Sequence, residues 1–209
     1  MINYINWQLN ELEKLNVPVL METEVTPELV KKEKPDVIFA ATGAIPIIPN
    51  IPGIDRPNVV TAHDVLSGKV NTGSRVVVVG GGCVGAETAN QLANYLKCVT
   101  IIEMLDAIAG DEIVVPRWDL LEDLDRNKVR ICTKTTVDEI TDAGVKVSGA
   151  VNEVIPCDTV VLAVGAKPVL ALADALKKEG YDVRVIGDAA KVGLGGEAIM
   201  EGFEVGRTI

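Results

Sequence analysis

The chain has 209 residues, of which 20 are basic and 30 acidic, so its formal net charge is −10 and its sequence pI is near 4.7. This acidic balance and an aromatic content of only 3% argue against a nucleic-acid-binding surface, which needs basic patches and stacking platforms. A chain of this length can bury a substantial core, either as one large domain or as two small ones.

The N-terminus lacks the basic start and apolar core of a signal peptide. The longest run of apolar and glycine residues, Val76 to Ala86, is too short to span a bilayer. The four cysteines (Cys83, Cys98, Cys132, Cys157) include no C-x-x-C pair, so the chain encodes neither a redox-active dithiol nor a zinc or iron–sulfur site. We expect a soluble, cytoplasmic protein with small buried thiols and no membrane partner, and the oligomeric state stays open.

The first 70 residues are predicted to alternate short helices and strands. Thr26 has the character of a helix cap, and Pro27 that of a first helical residue. The predicted elements are a helix ending near Asn16, a strand at Val17–Met21, a helix from Pro27 to Lys34, a strand at Val37–Ala41, a packed proline-rich connector at Ile45–Pro57 and a short helix at Ala62–Leu66. The only histidine, His63, does not share a motif with a Ser or Cys nucleophile, and we expect it at the surface.

The central feature of the chain is a glycine-rich sequence that follows a β-branched run. Val76 to Val79 predicts a fully buried parallel strand. Gly80, Gly82 and Gly85 then fit G-x-G-x-x-G, in which the glycines allow a tight turn, backbone approach to a pyrophosphate, and close packing of helix on strand. A helix from about Val84 to Leu96 would point its free N–H groups at that pyrophosphate.

An acidic residue ends the next strand. Val99–Ile102 is predicted to be a strand, and Glu103 follows it close to the roughly 20-residue offset at which an acid meets the adenine ribose hydroxyls. Its carboxylate would repel a 2′-phosphate, so NAD is favoured over NADP. The alternative is an ordinary βαβ turn with an acid at the strand end.

The pattern changes after Glu103. A helix is expected at Asp111–Asp125, with three short strands and a turn after it. The predicted later elements are strands at Val129–Thr133, Thr136–Ile140, Val145–Ser148, Cys157–Gly165 and Tyr181–Ile186, a helix at Leu170–Lys178, and a last helix through Phe203 and Val205 after a loop at Gly193–Gly196.

Four sequences in this order form a recognisable set: Ala41-Thr42-Gly43, the Gly80–Gly85 fingerprint, Ala163-Val164-Gly165 and Val185-Ile186-Gly187-Asp188. Together they resemble the two-dinucleotide-binding flavoprotein family. The phrases Thr23–Pro27, Lys34–Val37 and Ile199–Arg207 further resemble the C-terminal region of the old yellow enzyme type of NADH:flavin oxidoreductases, which includes 2,4-dienoyl-CoA reductases, enoate reductases and trimethylamine dehydrogenase relatives.

The resemblance implies an α/β fold in which a Rossmann-like, parallel-sheet NAD-binding domain (residues 71–166) is inserted into a partial FAD-binding domain (residues 1–70 and 167–209). The family's first FAD fingerprint, its FMN-binding TIM barrel and its 4Fe-4S cysteines are missing from this sequence. We therefore expect a fragment of a longer enzyme that is inactive alone, with FMN and 4Fe-4S only in the remainder.

The resemblance also implies the cofactor residues, whereas no catalytic or metal residue is assigned. The expected dinucleotide-site residues are Gly80, Gly81, Gly82, Cys83, Val84, Gly85, Glu87, Glu103 and Gly165, and those expected near FAD are Thr42, Gly43, Gly187 and Asp188. Plainer interpretations are a solvated helix residue for Glu87, strand-ending turns for Thr42, Gly43 and Gly165, and a helix cap or turn acid for Asp188.

The implied activity is hydride transfer from NADH to FAD and onward to FMN and substrate, with the protein binding, orienting and shielding its cofactors. One alternative is a structural module that holds ADP or NAD without hydride transfer. Another is a stand-alone dehydrogenase, for which the sequence offers no catalytic Lys, Tyr or His near the nicotinamide.

Overall fold

The structure is a computed structural model that describes residues 2–110 and 114–209. The chain divides into a smaller compact unit, Met1–Ala40 with Leu170–Val185, and a larger one, Ala41–Val169 with Ile186–Ile209. These units follow contacts within the protein, whereas the division expected from the sequence follows cofactors, so that division stays a prediction. In the described ranges no helix is both long and apolar enough to cross a membrane.

The helices and strands follow one another as short elements. The helices of the described residues are α1 (Ile2–Lys14), α2 (Pro27–Glu33), α3 (Ala62–Leu66), α4 (Cys83–Asn94), α5 (Val114–Arg126), α6 (Ala171–Lys178) and α7 (Gly195–Gly206), with a 3₁₀ turn at Gly187–Ala189. The strands are β1 (Ile38–Ala40), β2 (Ala44–Pro46), β3 (Val59–Thr61), β4 (Arg75–Val79), β5 (Cys98–Ile102), β6 (Arg130–Cys132), β7 (Thr135–Thr141), β8 (Gly144–Gly149), β9 (Glu153–Ile155), β10 (Thr159–Leu162), β11 (Ala166–Pro168) and β12 (Val183–Val185).

The smaller unit has a parallel pair of strands, β1 and β12, and a small core to which α2 and α6 contribute. The Thr26 hydroxyl accepts a hydrogen bond from the Leu29 N–H at 3.3 Å, and Pro27 occupies the first turn of α2, as the sequence predicts. Val30 of α2 is buried in the same cluster as Ala173 and Leu176 of α6.

The strand predicted at Val17–Met21 is wrong. The residues form no strand, and the side chains of Val17, Val19, Leu20 and Met21 are between 45% and 77% exposed. An extended segment becomes a strand only when it finds a partner for its N–H and C=O groups. The apolar composition that suggested a strand therefore reflects an exposed surface within this unit.

The larger unit is organised around a five-stranded parallel sheet in the order β3-β10-β4-β5-β6. Along β4, Val76 and Val78 belong to one core cluster, with Ala86 and Leu92 of α4. Val77 and Val79 belong to the cluster on the opposite face. Because both faces are covered, the strand is a continuous apolar run rather than an alternating one. The expected α/β fold with a Rossmann-like parallel sheet is confirmed.

A three-stranded antiparallel sheet, β7-β8-β9, covers the second face of the parallel sheet. Its buried side chains, Ile140, Val145, Val147 and Ile155, pack into the cluster that holds Val77. Two of its strands match the predicted ones, and β9 was not predicted. The remaining predicted strand, Val129–Thr133, which comes first in the chain, is β6 at the edge of the parallel sheet.

Other boundaries shift by a few residues. The helix predicted at Asp111–Asp125 is described from Val114 to Arg126, so its end is close to the predicted one, while its predicted start at residues 111–113 lies outside the described residues. The strand predicted at Cys157–Gly165 is the shorter β10, Thr159–Leu162. An unpredicted strand, β11, follows it and pairs antiparallel with β2, which overlaps the start of the predicted connector. The remainder of the connector is packed as expected, since Ile51 and Ile54 contact the second core cluster.

The thiols are less buried than the sequence suggests. Cys132 is buried, Cys83 and Cys157 are half-buried, and Cys98 is exposed; none forms a disulfide. Burial raises the pKa of the Cys132 and Cys157 thiols, which keeps them protonated at neutral pH. His63 is exposed, as expected.

The start of β4 is fastened to the start of β10 by Asp158. Its carboxylate accepts hydrogen bonds from the Arg75 guanidinium at 2.6 Å and from the Arg75 and Ser74 backbone N–H groups at 2.8 and 3.1 Å. The hydrogen bonds to Arg75 hold the pKa of the Asp158 carboxyl below its ordinary value. The carboxylate therefore stabilises the fold at neutral pH and loses this contribution as the pH falls through the lowered pKa.

We expect Asp158→Asn to lower the melting temperature by a few degrees at pH 7, because it removes the charge that Arg75 contacts. The difference from the unchanged protein should stay constant above about pH 5 and shrink below about pH 4, where the wild-type carboxyl also becomes neutral. Melting followed by circular dichroism across this pH range measures it. The exposed Asp119 on α5 supplies the control, since Asp119→Asn should show no such dependence.

Candidate nucleotide-binding cleft

A cleft of about 910 Å³ opens in the larger unit at the carboxyl ends of β4, β5 and β10. In parallel α/β sheets, this edge is where ligands bind. The lining is mostly apolar and comes from the glycine turn, the β5 end, the connector and β7. It comprises Ile47, Pro49, Ile51, Val79, Gly80, Gly81, Gly82, Ile102, Glu103, Met104, Leu105, Ala107, Gly110, Thr135, Thr136, Val137, Ala163, Val164 and Gly165.

The glycine turn between β4 and α4 has no room for side chains. Gly80 has a φ of +101°, and a Cβ there would lie 2.4 Å from the Ala163 carbonyl oxygen. Gly85 lies in the first turn of α4, where a Cβ would be 2.0 Å from the Gly80 carbonyl oxygen. The first and third glycines of the fingerprint therefore perform the turning and close-packing roles that the motif predicts.

The N-terminus of α4 borders the cleft, since Gly82 is among the lining residues. Gly82 is its N-cap and supplies no side-chain hydrogen bond to the first turn. The first N–H groups of a helix have no partner within the helix, and together with the helix dipole they attract anions. The turn thus has the features of a diphosphate cradle: bare backbone, a helix N-terminus and an adjoining cleft.

Glu103 lies against this turn and is only 8% exposed. One carboxylate oxygen accepts a hydrogen bond from the Gly81 N–H at 2.6 Å, and the other accepts one from the Leu105 N–H at 2.7 Å. Such short bonds to a charged acceptor are strong and hold the carboxylate in one orientation. The strand-end acid and the glycine turn, 22 residues apart in sequence, are therefore joined directly.

Only part of the predicted residue set meets in the cleft. Gly80, Gly81, Gly82, Glu103 and Gly165 all line it. The lining does not include the α4 residues Cys83, Val84, Gly85 and Glu87.

The α4 residues differ from one another in position. Cys83 is half-buried and Val84 is exposed in the first turn, while Gly85 is buried against β4. Glu87 is exposed and faces a separate groove of about 480 Å³ between α4 and α5. Its position agrees with the plainer interpretation of a solvated helix residue.

The residues predicted near FAD form two backbone turns. The Thr42 hydroxyl donates to the Val169 carbonyl at 2.6 Å, and Gly43 has a φ of +70°. Gly187 has a φ of +61° and donates its N–H to Glu201 at 2.6 Å.

Asp188 follows Gly187 in the 3₁₀ turn and accepts a hydrogen bond from the Gly193 N–H at 3.2 Å. It therefore closes the loop before α7. This contact agrees with the interpretation of Asp188 as a turn acid, and its binding to a flavin stays a prediction.

Several lining residues carry no recognisable sequence signal. Ile47, Pro49 and Ile51 belong to the connector, and Thr136 and Val137 come from a strand of the antiparallel sheet. Their chain positions are far from the fingerprint, and tertiary packing brings them to it. Gly81 was predicted as a site residue because it belongs to a glycine triplet. Its hydrogen bond to Glu103 was not predicted.

A sequence model of a protein family, the pyridine nucleotide-disulphide oxidoreductases, matches residues 19–188. The bilirubin reductase of Mediterraneibacter gnavus (strain CC55_001C) is 38% identical over 185 residues, which are 88% of this chain and 29% of that protein. The NADH oxidase of Thermoanaerobacter brockii is 39% identical over 207 residues, or 96% of this chain and 32% of that protein.

Among solved structures, a 2-naphthoyl-CoA reductase in complex with 2-naphthoyl-CoA is 34% identical and superposes with a TM-score of 0.91. The match covers 99% of this chain and 32% of that one. The chain therefore spans about a third of the length of the relatives that it matches.

Proposed function

Because the chain belongs to the pyridine nucleotide-disulphide oxidoreductase family, a family of NAD(P)H-dependent flavin oxidoreductases, we propose that it is the electron-input module of an NADH:flavin oxidoreductase. The observation that carries the proposal is the buried carboxylate of Glu103, which accepts a hydrogen bond from the glycine turn and lines a cleft of about 910 Å³. A carboxylate in this position suits a ribose with free hydroxyls and repels a 2′-phosphate. NADH is accordingly the proposed substrate, rather than NADPH.

The residues of the cleft divide the binding work. The N–H groups at the start of α4 hold the diphosphate, and Glu103 accepts hydrogen bonds from the adenine ribose. Gly165, after β10, presents backbone without a side chain to the cleft, next to Ile47. The apolar residues Ile47, Ile51 and Val164 line the cleft and reduce the access of water to it. When bound, a nicotinamide dinucleotide supplies a hydride and FAD accepts it.

We assign residues 71–166 to binding NAD(H), and residues 1–70 and 167–209 to part of an FAD site. For the FAD part, the support is the pair of glycine turns at Gly43 and Gly187, both with positive φ, next to the Thr42 hydroxyl and the Asp188 carboxylate. Onward electron transfer to FMN, a 4Fe-4S centre and the final substrate is proposed to occur in parts of a longer enzyme outside this chain.

Titration of the purified chain with NADH and NADPH, followed by cofactor fluorescence, tests the dinucleotide assignment. We expect NADH to bind at least about tenfold more tightly, because the buried carboxylate meets a phosphate in one case and hydroxyls in the other. Equal affinities for the two would contradict the role given to Glu103.

A structural module that holds ADP or NAD without hydride transfer is the second candidate, because the glycine turn and Glu103 would bind the adenosine diphosphate part of either ligand in the same way. The intact flavoprotein separates the two functions. Loss of the oxidised flavin absorbance on anaerobic addition of NADH supports electron input. Tight ADP binding without that loss supports the structural module.

A further inference from the structure

The segment after Glu103 folds back over the glycine turn. The Ala109 N–H donates to the Gly81 carbonyl oxygen at 2.6 Å, and both Ile108 and Ala109 are buried. A Cβ on Gly81 would lie 2.6 Å from Ile108 Cγ2, so Ile108 packs directly on the bare backbone of the turn. Residues 104–110, which we call the cleft loop, are therefore one wall of the nucleotide cleft.

One side chain from outside fastens this loop. The guanidinium of Arg117 donates from Nη2 at 3.0 Å and from Nε at 3.3 Å to the carbonyl oxygen of Ile108. A buried carbonyl needs a hydrogen-bond partner, and a charged donor with two N–H groups is a strong one. The contact fixes the loop at the residue that packs on Gly81.

The position of Arg117 in its own helix indicates that its role is the contact with the loop. Arg117 is the fourth residue of α5 as the structure describes it, and the helix dipole disfavours a positive charge near a helix N-terminus. Its half-buried side chain points back along the chain to the cleft loop instead of to solvent. The helix itself gains nothing from a cation here, so the loop contact supplies the physical reason for the residue.

The loop and the turn together orient the acid of the cleft. Glu103 is held on one side by the N–H of Gly81 and on the other by the N–H of Leu105, at the start of the loop. The loop is held at Leu105, whose carbonyl accepts from the Lys134 N–H at 2.8 Å, and at its other end by the bonds of Arg117 to Ile108 and of Ala109 to Gly81. The Arg117 end is thus the one that carries the Gly81 donor. We propose that Arg117 is a positioning residue for dinucleotide selection, holding Glu103 in its ribose-facing orientation; this inference rests on the proposed function.

The test compares three variants of the chain by titration with NADH and with NADPH. We expect Arg117→Ala to raise the Kd for NADH about tenfold, since it leaves the Ile108 carbonyl without its charged donor. The Kd for NADPH should change less, so the ratio of the NADPH Kd to the NADH Kd falls. Arg117→Lys keeps a cationic donor and should recover part of the loss. Arg126→Ala, on the same helix in an exposed pair with Asp123, should match the unchanged protein.

Amide hydrogen exchange of Leu105 and Ala109, measured without nucleotide, provides a readout that does not depend on binding. Exchange should be about tenfold faster in Arg117→Ala than in Arg126→Ala. A lower melting temperature with an unchanged NADH-to-NADPH ratio, or unchanged exchange at Leu105 and Ala109, overturns the positioning role while the proposed function stands. Failure of the unchanged protein to bind NADH overturns the proposed function, and the selection role with it.

Discussion

Glu103→Ala is expected to weaken NADH binding about 100-fold. The change removes the acceptor proposed for the ribose hydroxyls, and a hydrogen bond to a charged group contributes about 1.5–3 kcal/mol. It also leaves the N–H groups of Gly81 and Leu105 without their acceptor, so the turn itself loosens. Isothermal calorimetry with NADH measures the loss directly.

Two further variants separate the recognition of the ribose by Glu103 from the loosening of the glycine turn. Glu103→Gln keeps the shape and one oxygen acceptor but removes the charge, so the preference for NADH over NADPH should narrow by about tenfold. Glu139→Ala, at an exposed position on β7, is the matched control and should bind both nucleotides as the unchanged protein does. If the preference survives in Glu103→Gln, the selection of NADH does not come from this carboxylate.

Gly85→Ala is expected to destabilise the larger unit by about 1–3 kcal/mol and to abolish tight NADH binding. Two effects oppose each other at this position. Helix propensity favours alanine over glycine by about 1 kcal/mol. The new Cβ, however, would lie 2.0 Å from the Gly80 carbonyl oxygen and 2.9 Å from its carbon. Backbone atoms cannot rotate away as a side chain can, so α4 must move off the strand and carry its N-terminus with it.

Gly202→Ala is the matched control for this substitution. Gly202 also lies inside a helix, α7, but a Cβ there would meet nothing within 4 Å. Propensity should therefore dominate, and we expect a neutral to slightly stabilising change of up to about 1 kcal/mol. Urea unfolding followed by circular dichroism compares the two. A Gly85→Ala protein as stable as Gly202→Ala would mean that α4 does not depend on this close approach.

The glycine fingerprint could be located from sequence because its requirements are local. Gly80 must adopt a positive φ, and Gly85 must allow a helix to approach a strand, and both needs arise within a few residues. The buried run at Val76–Val79 was equally clear, since a strand covered on both faces has no polar alternation. Glu103 followed from the same unit, as the acid at the end of the next strand.

Predictions failed where an element depends on a distant partner. The segment Val17–Met21 has the apolar composition typical of a strand, but Pro18 has no N–H to donate, and within the described residues no strand pairs with it. The β2 strand was hidden in a proline-rich connector, because its pairing with β11 joins segments about 120 residues apart. Strand pairing is decided by hydrogen bonds across the sheet, and composition records them weakly.

By itself the sequence determined the parallel α/β architecture, the glycine turn and the acid beside it, because each is written in neighbouring residues whose backbone geometry allows few alternatives. Only the tertiary structure decided which residues complete the cleft. The structure was needed to show that Ile47 and Val137 line the cleft, that two N–H groups hold the Glu103 carboxylate, and that Arg117 contacts Ile108. No sequence pattern marks these contacts. The physical reason is that packing and hydrogen bonding depend on how close two groups are in space, whatever their separation in the sequence.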